Sequence, residues 1–170
     1  MIKDIINKLF NHKNKIDDVY YEEFSNLVST AKATRNIVSD INVMLSQIMN
    51  HEPINTKWEK LNSLTFKDVG DLSLFISVMC ASVHEELSRA KARVSGISNT
   101  HTMSSAESSM YALCDSVVSS LILISTFSLK VNKHPEDWTF DSIESFANTI
   151  FHMNQQMIDY FDMELKNITG

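Results

Sequence analysis

Residues that interrupt helices are scarce in this chain. Only three glycines and two prolines occur among its 170 residues. A protein built from strands needs many tight turns, and these turns rely on Gly, Pro and Asn-Gly pairs. So few breakers indicate few turns and long elements. The chain is therefore predicted to be all-α, and its length fits a single helical-bundle domain over residues 1–170.

Apolar residues recur at steps of three and four along four long segments, which is the spacing of amphipathic helices. We expect an up-and-down bundle of four long helices at about 17–49, 66–95, 105–131 and 140–168. A short amphipathic helix over residues 2–11 is expected before them. It is interpreted as a lid on the bundle, with attachment to a membrane surface or to a partner's groove left open.

The ends of two of these helices carry recognisable signals. Thr65 with Asp68, and Ser104 with Glu107, have the spacing of a capping box, in which two side chains satisfy the first backbone N–H groups of a helix. Gly96 follows a basic last turn, so we expect it to end its helix in the left-handed conformation.

The segment between Glu107 and Lys130 carries one charge, Asp115, among Leu, Ile, Val, Phe and Ser residues. It is long enough to span a bilayer, but it contains several serines, and the sequence has no second candidate. A helix that is apolar on nearly every side also suits the middle of an all-α core. We therefore predict a buried central helix, and no transmembrane segment.

Composition and motifs exclude several classes of function. The formal net charge of −6 disfavours direct binding of nucleic acid through a basic surface. Cys80 and Cys114 stand alone in apolar patterns, which indicates buried thiols in a reducing compartment. The sequence contains no Glu-x-x-His, His-Glu-x-x-His, Gly-x-Ser-x-Gly or Walker motif. We therefore expect no catalytic machinery, no metal and no cofactor, and a cytoplasmic location, in the host cytoplasm for a phage or viral protein.

Acidic residues cluster in the last predicted helix. Asp159, Asp162 and Glu164 lie near its C-terminal end, where acids oppose the helix dipole, so helix stability does not explain them. His152 and Gln155 are predicted to continue this surface. We interpret these five residues as a binding surface for a partner protein that carries a basic surface.

The function predicted from these features is protein–protein interaction. The protein would be a small acidic regulator, inhibitor or immunity-type protein. One version of the hypothesis has it encoded by a phage or mobile element. A homodimer is compatible with the pattern of apolar residues on the long helices. One alternative is a helical-bundle ligand binder or enzyme with an internal polar pocket around Asp115, Ser119 and His84. Another alternative is a viral Bcl-2-like helical bundle.

Overall fold

The computed structural model describes the backbone of residues 2–98 and 101–169 and the side chains of residues 17–97 and 101–167. No strand occurs in these described ranges. The α-helices are α1 (Ile2–Met49), the short α2 (Glu59–Asn62), α3 (Val69–Ser98), α4 (Ser105–Lys133) and α5 (Ile143–Thr169), and a 3₁₀ turn spans Pro135–Asp137. The predictions of an all-α protein and of four long helices that fit a bundle are confirmed.

The four long helices form a closed ring of antiparallel neighbours. Helix α3 packs most extensively on α4, and α1 on α5, while α1–α3 and α4–α5 contacts complete the ring. Glu23 of α1 pairs with Arg93 near the end of α3, and Asn132 at the end of α4 donates to the carbonyl of Gly70 at the start of α3. The same pairing of early with late residues holds between α1 and α5 and between α4 and α5. The chain therefore runs up and down in sequence order.

The first helix differs from its predicted form. The backbone is one continuous helix from Ile2 to Met49, where we predicted a helix over residues 2–11 and a second one from residue 17. The reason is local, because residues 12–16 contain neither Gly nor Pro and nothing in them ends a helix. The side chains of residues 2–16 lie outside the described residues, so their role as a lid stays a prediction.

The two predicted capping boxes have different outcomes. The box at the start of α4 is confirmed, because the Glu107 N–H donates to Ser104 Oγ at 3.2 Å and the Ser104 N–H donates to Glu107 Oε2 at 2.6 Å. The box that begins at Thr65 is wrong, since α3 starts three residues later. Its first turn is capped by Asp68, whose Oδ1 accepts from the Asp71 N–H at 2.9 Å. Asp is a stronger N-cap residue than Thr, so the helix begins directly after Asp68.

The predicted left-handed cap at Gly96 is also wrong. Helix α3 continues past this residue, and no glycine in the described ranges has a positive φ. The left-handed cap stands after α1, at His51, whose φ is 57°. There the Glu52 N–H donates to the Gln47 carbonyl at 2.9 Å and the His51 N–H donates to the Ile48 carbonyl at 3.2 Å. This is the hydrogen-bond pattern of a Schellman motif.

Helix α4 is not the central helix that its composition predicted. It buries a single face in the core, while Ile122 and Leu123 on its other sides are 45% and 62% exposed. The physical reason is the ring, because each of its four members turns one side toward the shared core and the other side toward solvent. By length and composition α4 could cross a bilayer, and it is the one such helix among the described residues, but the core helix of a soluble protein passes the same test. The residues of its buried face are Met110, Leu113, Cys114, Val117, Leu121, Ile124, Ser128 and Val131.

The core also holds a few polar side chains. Asn154 of α5 is 1% exposed, and within the described residues neither Nδ2 nor Oδ1 of its amide has a hydrogen-bond partner. Burial of a polar group without a partner opposes folding. The buried polar residues are Thr34, Asn42, Ser73, Ser77, Ser128 and Asn154.

Candidate functional site

A groove of about 520 Å³ opens between α1 and α5. The two helices run antiparallel there, so the second half of α1 faces the second half of α5 in reverse order. Val43, Phe151 and Ile158 are the apolar residues of its lining, and the other eight lining residues are polar or charged. The residues that line the groove are Arg35, Ser39, Asn42, Val43, Ser46, Gln47, Glu52, Phe151, Gln155, Ile158 and Asp162.

A bidentate ion pair closes one end of the groove. Arg35 Nε donates to Asp162 Oδ1 at 2.9 Å, and Arg35 Nη2 donates to Asp162 Oδ2 at 2.8 Å. The hydrogen bonds from Arg35 hold the pKa of the Asp162 carboxyl below its ordinary value, against a smaller opposing effect of burial. Both carboxylate oxygens are thus engaged, and the positive charge of Arg35 is neutralised within the groove.

A second hydrogen-bonded chain crosses the groove at mid-length. Asn42 of α1 is 4% exposed, and its Nδ2 donates to the Phe151 carbonyl at 3.2 Å and to Gln155 Oε1 at 3.4 Å. Gln155 Nε2 in turn donates to Asp159 Oδ1 at 2.8 Å. The Oδ1 atom of Asn42 has no hydrogen-bond partner within the described part of the chain. Asn42 Oδ1 is therefore a buried acceptor without a donor among the described residues.

The structure brings together part of the surface predicted on the last helix. Gln155 and Asp162 line the groove, Asp159 is bonded to Gln155, and the ring of exposed His152 packs edge-on against Phe151. These residues follow steps of three and four along one face of α5.

Glu164 does not belong to that face. It lies two residues beyond Asp162, which is about 200° around an α-helix, and it is half-buried. The five predicted residues are therefore not a single acidic surface, and Glu164 is separated from the other four.

The α1 half of the groove was missed by the sequence reasoning. Arg35, Ser39, Asn42 and Ser46 line it, and they are spaced by four, three and four residues. This polar stripe at helical spacing is the signal that could have found them. The polar stripe runs beside the apolar stripe of α1. It was missed because a polar stripe on a surface helix is ordinarily interpreted as a face exposed to solvent.

The three residues of the predicted internal pocket do not enclose one. Asp115 is 55% exposed and forms an ion pair with Lys91 across α3 and α4. Ser119 is exposed and His84 is half-buried. Because the carboxylate lies at the surface with a cation beside it, its presence in an apolar helix needs no internal polar site.

A compact cluster of ionisable side chains joins the start of α4 to α1. Tyr20 is fully buried and stacks on the ring of His101 with 3.8 Å between centroids. His101 Nδ1 lies 3.6 Å from Asp17 Oδ1, and His101 Nε2 lies 3.6 Å from Glu107 Oε1. Two helices and the loop between α3 and α4 are held together by these contacts.

Ionisation in this cluster follows from its surroundings. Burial raises the pKa of the Tyr20 hydroxyl, and the neighbouring Glu107 carboxylate raises it further. Burial also opposes ionisation of Glu107, but hydrogen bonds from Ser104 and the nearby His101 outweigh it and leave the pKa of this carboxyl below its ordinary value. A neutral phenol beside a carboxylate fits a structural role at the end of the bundle.

The thiols and the metal-binding residue types give no further site within the described residues. Burial raises the pKa of Cys80 and of Cys114 to about 12, so neither is a ready nucleophile. Among the side chains at positions 17–97 and 101–167, no group of three or more His, Cys, Asp and Glu residues is placed to hold a metal ion.

Comparison of the chain with protein-family models, with curated proteins and with solved structures finds no match. The groove between α1 and α5 is therefore the candidate functional site on geometry alone.

Proposed function

We propose that this protein is a protein-binding module that holds a segment of a partner protein in the α1–α5 groove. The observation that carries the proposal is a groove between two long helices that is lined mostly by hydrogen-bonding side chains and contains an exposed apolar residue, Val43. Val43 is 41% exposed. Exposed apolar residues rimmed by polar groups are typical of sites that take up a peptide or helix.

The dimensions of the groove suit a short helix. From Arg35 to Gln47 the α1 wall rises by about 18 Å at 1.5 Å per residue, which matches roughly three turns of a docked helix. A volume of about 520 Å³ suffices for a few anchoring side chains and not for a whole domain. We therefore expect anchors at positions i, i+3 or i+4, and i+7 of the bound segment.

The charge of the groove favours a basic partner. Arg35 is neutralised by Asp162, whereas Glu52 and Asp159 form no ion pair with any Lys, Arg or His among the residues whose side chains are described. A basic segment would be attracted to these carboxylates and would associate faster at low salt. A role as a regulator or inhibitor follows if the bound segment belongs to the working surface of the partner.

The proposal can be tested with a displayed library of random peptides, selected on the purified protein. We expect the enriched peptides to combine Lys or Arg with apolar residues at helical spacing. Val43→Lys replaces an exposed apolar residue of the groove with a positive charge and should weaken binding of these basic peptides by at least tenfold, at roughly 1.4 kcal/mol per factor of ten.

Val78→Lys is the matched control. Val78 lies on α3, away from the groove, and is 58% exposed, so the same substitution there should leave peptide binding unchanged. Circular dichroism of both variants checks that each is folded. Equal retention of the peptides by the two variants, or no enrichment above an unrelated helical bundle, would refute the proposal.

A further inference from the structure

Helix α1 is much longer than the other helices of the bundle. It has 48 residues, against 30 in α3, 29 in α4 and 27 in α5. His101, in the loop that joins α3 to α4, stacks on Tyr20 and lies 3.6 Å from Asp17, so α3 ends and α4 begins level with this part of α1. Residues 2–49 contain neither Gly nor Pro, which are the usual causes of a kink. The helix therefore carries residues 2–16 up to about 22 Å past this end of α3 and α4.

The apolar stripe of α1 continues into this projecting segment, residues 2–16. The buried face of α1 includes, at steps of three, four and seven, Tyr20, Leu27, Ala31, Thr34, Val38, Ile41 and Leu45. The same steps, counted back from Tyr20, lead to positions 16, 13, 9, 6 and 2 on the same side of the helix. The sequence has Ile16, Lys13, Leu9, Ile6 and Ile2 at these positions. An apolar stripe in phase with the core thus continues beyond the level at which α3 and α4 end.

The charge of α1 reverses where the projecting segment ends. Residues 1–16 carry four Lys and one Asp, for a formal charge of +3, and residues 17–23 carry two Asp and two Glu, for −4. Asp18 and Glu22 in the acidic part are exposed. Two α1 helices that run antiparallel direct the basic segment of each toward the acidic part of the other, whereas a parallel pair places like charges together. The charge pattern therefore favours an antiparallel pair.

We infer that two copies of this chain pair through their projecting segments as a symmetric antiparallel dimer, with the two apolar stripes facing each other. A two-fold axis near residue 10 lays residues 2–4 of one copy beside residues 16–18 of the other. The α3–α4 loop stands at this level and limits the overlap. Val19 and Tyr21, which are 41% and 57% exposed, then lie within reach of the first turn of the other copy's α1. The α1–α5 groove takes no part, so this inference is independent of the proposed function.

A negatively charged membrane is the other surface that suits a basic amphipathic helix. Of the 15 Lys and Arg and the 21 Asp and Glu of the chain, residues 1–16 hold four and one, so the remaining residues have a formal charge of −9. Four of these acids directly follow the segment, and anionic headgroups repel them. A second copy turns the same acids into an attraction, which favours it as the occupant.

The test is the mass of the whole chain in solution, measured by light scattering and by sedimentation equilibrium across the micromolar range. We expect twice the 19.4 kDa of one chain. Ile6→Glu combined with Leu9→Glu places charges in the apolar stripe and should raise the dissociation constant of the dimer by at least about a hundredfold. Asn7→Glu combined with Asn11→Glu is the matched control, because it makes the same change of charge on the opposite side of the helix. It should raise this constant only severalfold, and circular dichroism checks that both variants are folded.

The antiparallel arrangement is tested by exchanging charges. Lys3→Glu and Asp18→Lys should each weaken self-association severalfold, because each variant places like charges together at both ends of its own dimer. In a mixed dimer the new Glu of one variant faces the new Lys of the other, and the two unchanged residues face each other as well. An equimolar mixture should therefore regain the affinity of the wild type. Added salt should weaken the wild-type dimer, whereas a parallel pair would gain from the screening of like charges.

Several results would overturn the inference. A chain that stays monomeric across the micromolar range refutes it, and so does a dimer that survives Ile6→Glu with Leu9→Glu or is lost equally in the control variant. Vesicles rich in phosphatidylserine test the other occupant, since a monomer that binds them through Ile6 and Leu9 assigns the segment to a lipid surface. Failure of the dimer is distinguishable from failure of the proposed function, because the peptides of the α1–α5 groove are tested at Val43, outside the projecting segment.

Discussion

The sharpest prediction for stability concerns Asn154 in the core. Its side chain is 1% exposed, and both polar atoms of its amide lack hydrogen-bond partners within the described residues. Each such group costs about 1–3 kcal/mol in the folded state, so Asn154→Leu should recover about 2–6 kcal/mol. The Leu side chain is bulkier than Asn, and overpacking should cost roughly 1–3 kcal/mol of this gain. We expect the free energy of unfolding to rise by about 2 kcal/mol.

The measurement is urea and thermal unfolding followed by circular dichroism. For a chain of this size a gain of about 2 kcal/mol should raise Tm by roughly 4–8 °C. Asn154→Val, with a smaller side chain, tests the overpacking term separately, and Asn36→Leu at the surface should change the free energy of unfolding by less than about 0.5 kcal/mol.

The reasoning would be refuted if both Asn154→Leu and Asn154→Val lowered the free energy of unfolding. That result would mean that the amide of Asn154 is satisfied in the folded protein, so that its removal breaks hydrogen bonds instead of relieving a cost. A stabilised variant that also forms altered oligomers would indicate that Asn154 fixes the register of the bundle, as single buried Asn residues do in coiled coils.

Two further predictions concern the Arg35–Asp162 ion pair and the turn that follows α1. Asp162→Asn should lower the free energy of unfolding at pH 7 by about 0.5–1 kcal/mol, a small value because the ion pair with Arg35 is partly exposed. The pKa of Asp162 is lower in the folded protein than in the unfolded chain, so the stabilisation is present above about pH 4 and is lost as the pH falls through the folded pKa. Urea titrations from pH 7 to pH 2 should show that the difference between Asp162→Asn and the wild type disappears at the acidic end. A difference that stays constant over this range would contradict the assignment. His51→Gly should raise the free energy of unfolding by roughly 1 kcal/mol, because φ at His51 is 57° and glycine adopts this conformation without strain. An unchanged urea midpoint would show that the His51 side chain makes contacts that compensate for the strain. The nearby contact is with the Glu144 carboxylate, 3.5 Å from His51 Nδ1.

Features that depend on neighbouring residues along the chain could be predicted. The scarcity of Gly and Pro and the apolar spacing gave four long helices, and the Ser104–Glu107 box gave the start of α4, because helices and their caps are local hydrogen-bonded units. The failures at Thr65 and Gly96 are also local. At the first of these, Asp68 is the residue that caps the helix; at the second, the exposed Gly96 stays helical and does not end α3.

The composition of α4 misled the prediction in an instructive way. An apolar helix was assigned to the middle of the core because burial was taken to follow from hydrophobicity alone. The bundle has no middle position, so α4 stands in the ring and leaves Ile122 and Leu123 at the surface. Small polar residues lie at its contact with α3, where Ser125 Oγ donates to the carbonyl of Ser77 at 2.9 Å. Asp115 likewise finds its partner across this interface, in Lys91.

The amino-acid sequence by itself determined that this chain forms long helices and which side of each helix is apolar. Only the tertiary structure decided which polar side chains meet. Arg35 and Asp162 are 127 positions apart, and Asn42 and Gln155 are 113 positions apart. Their contact depends on how α1 and α5 are rotated and shifted against each other, which is set by the packing of the whole core. A groove between helices is therefore a property of that packing, and no segment of the chain carries it alone.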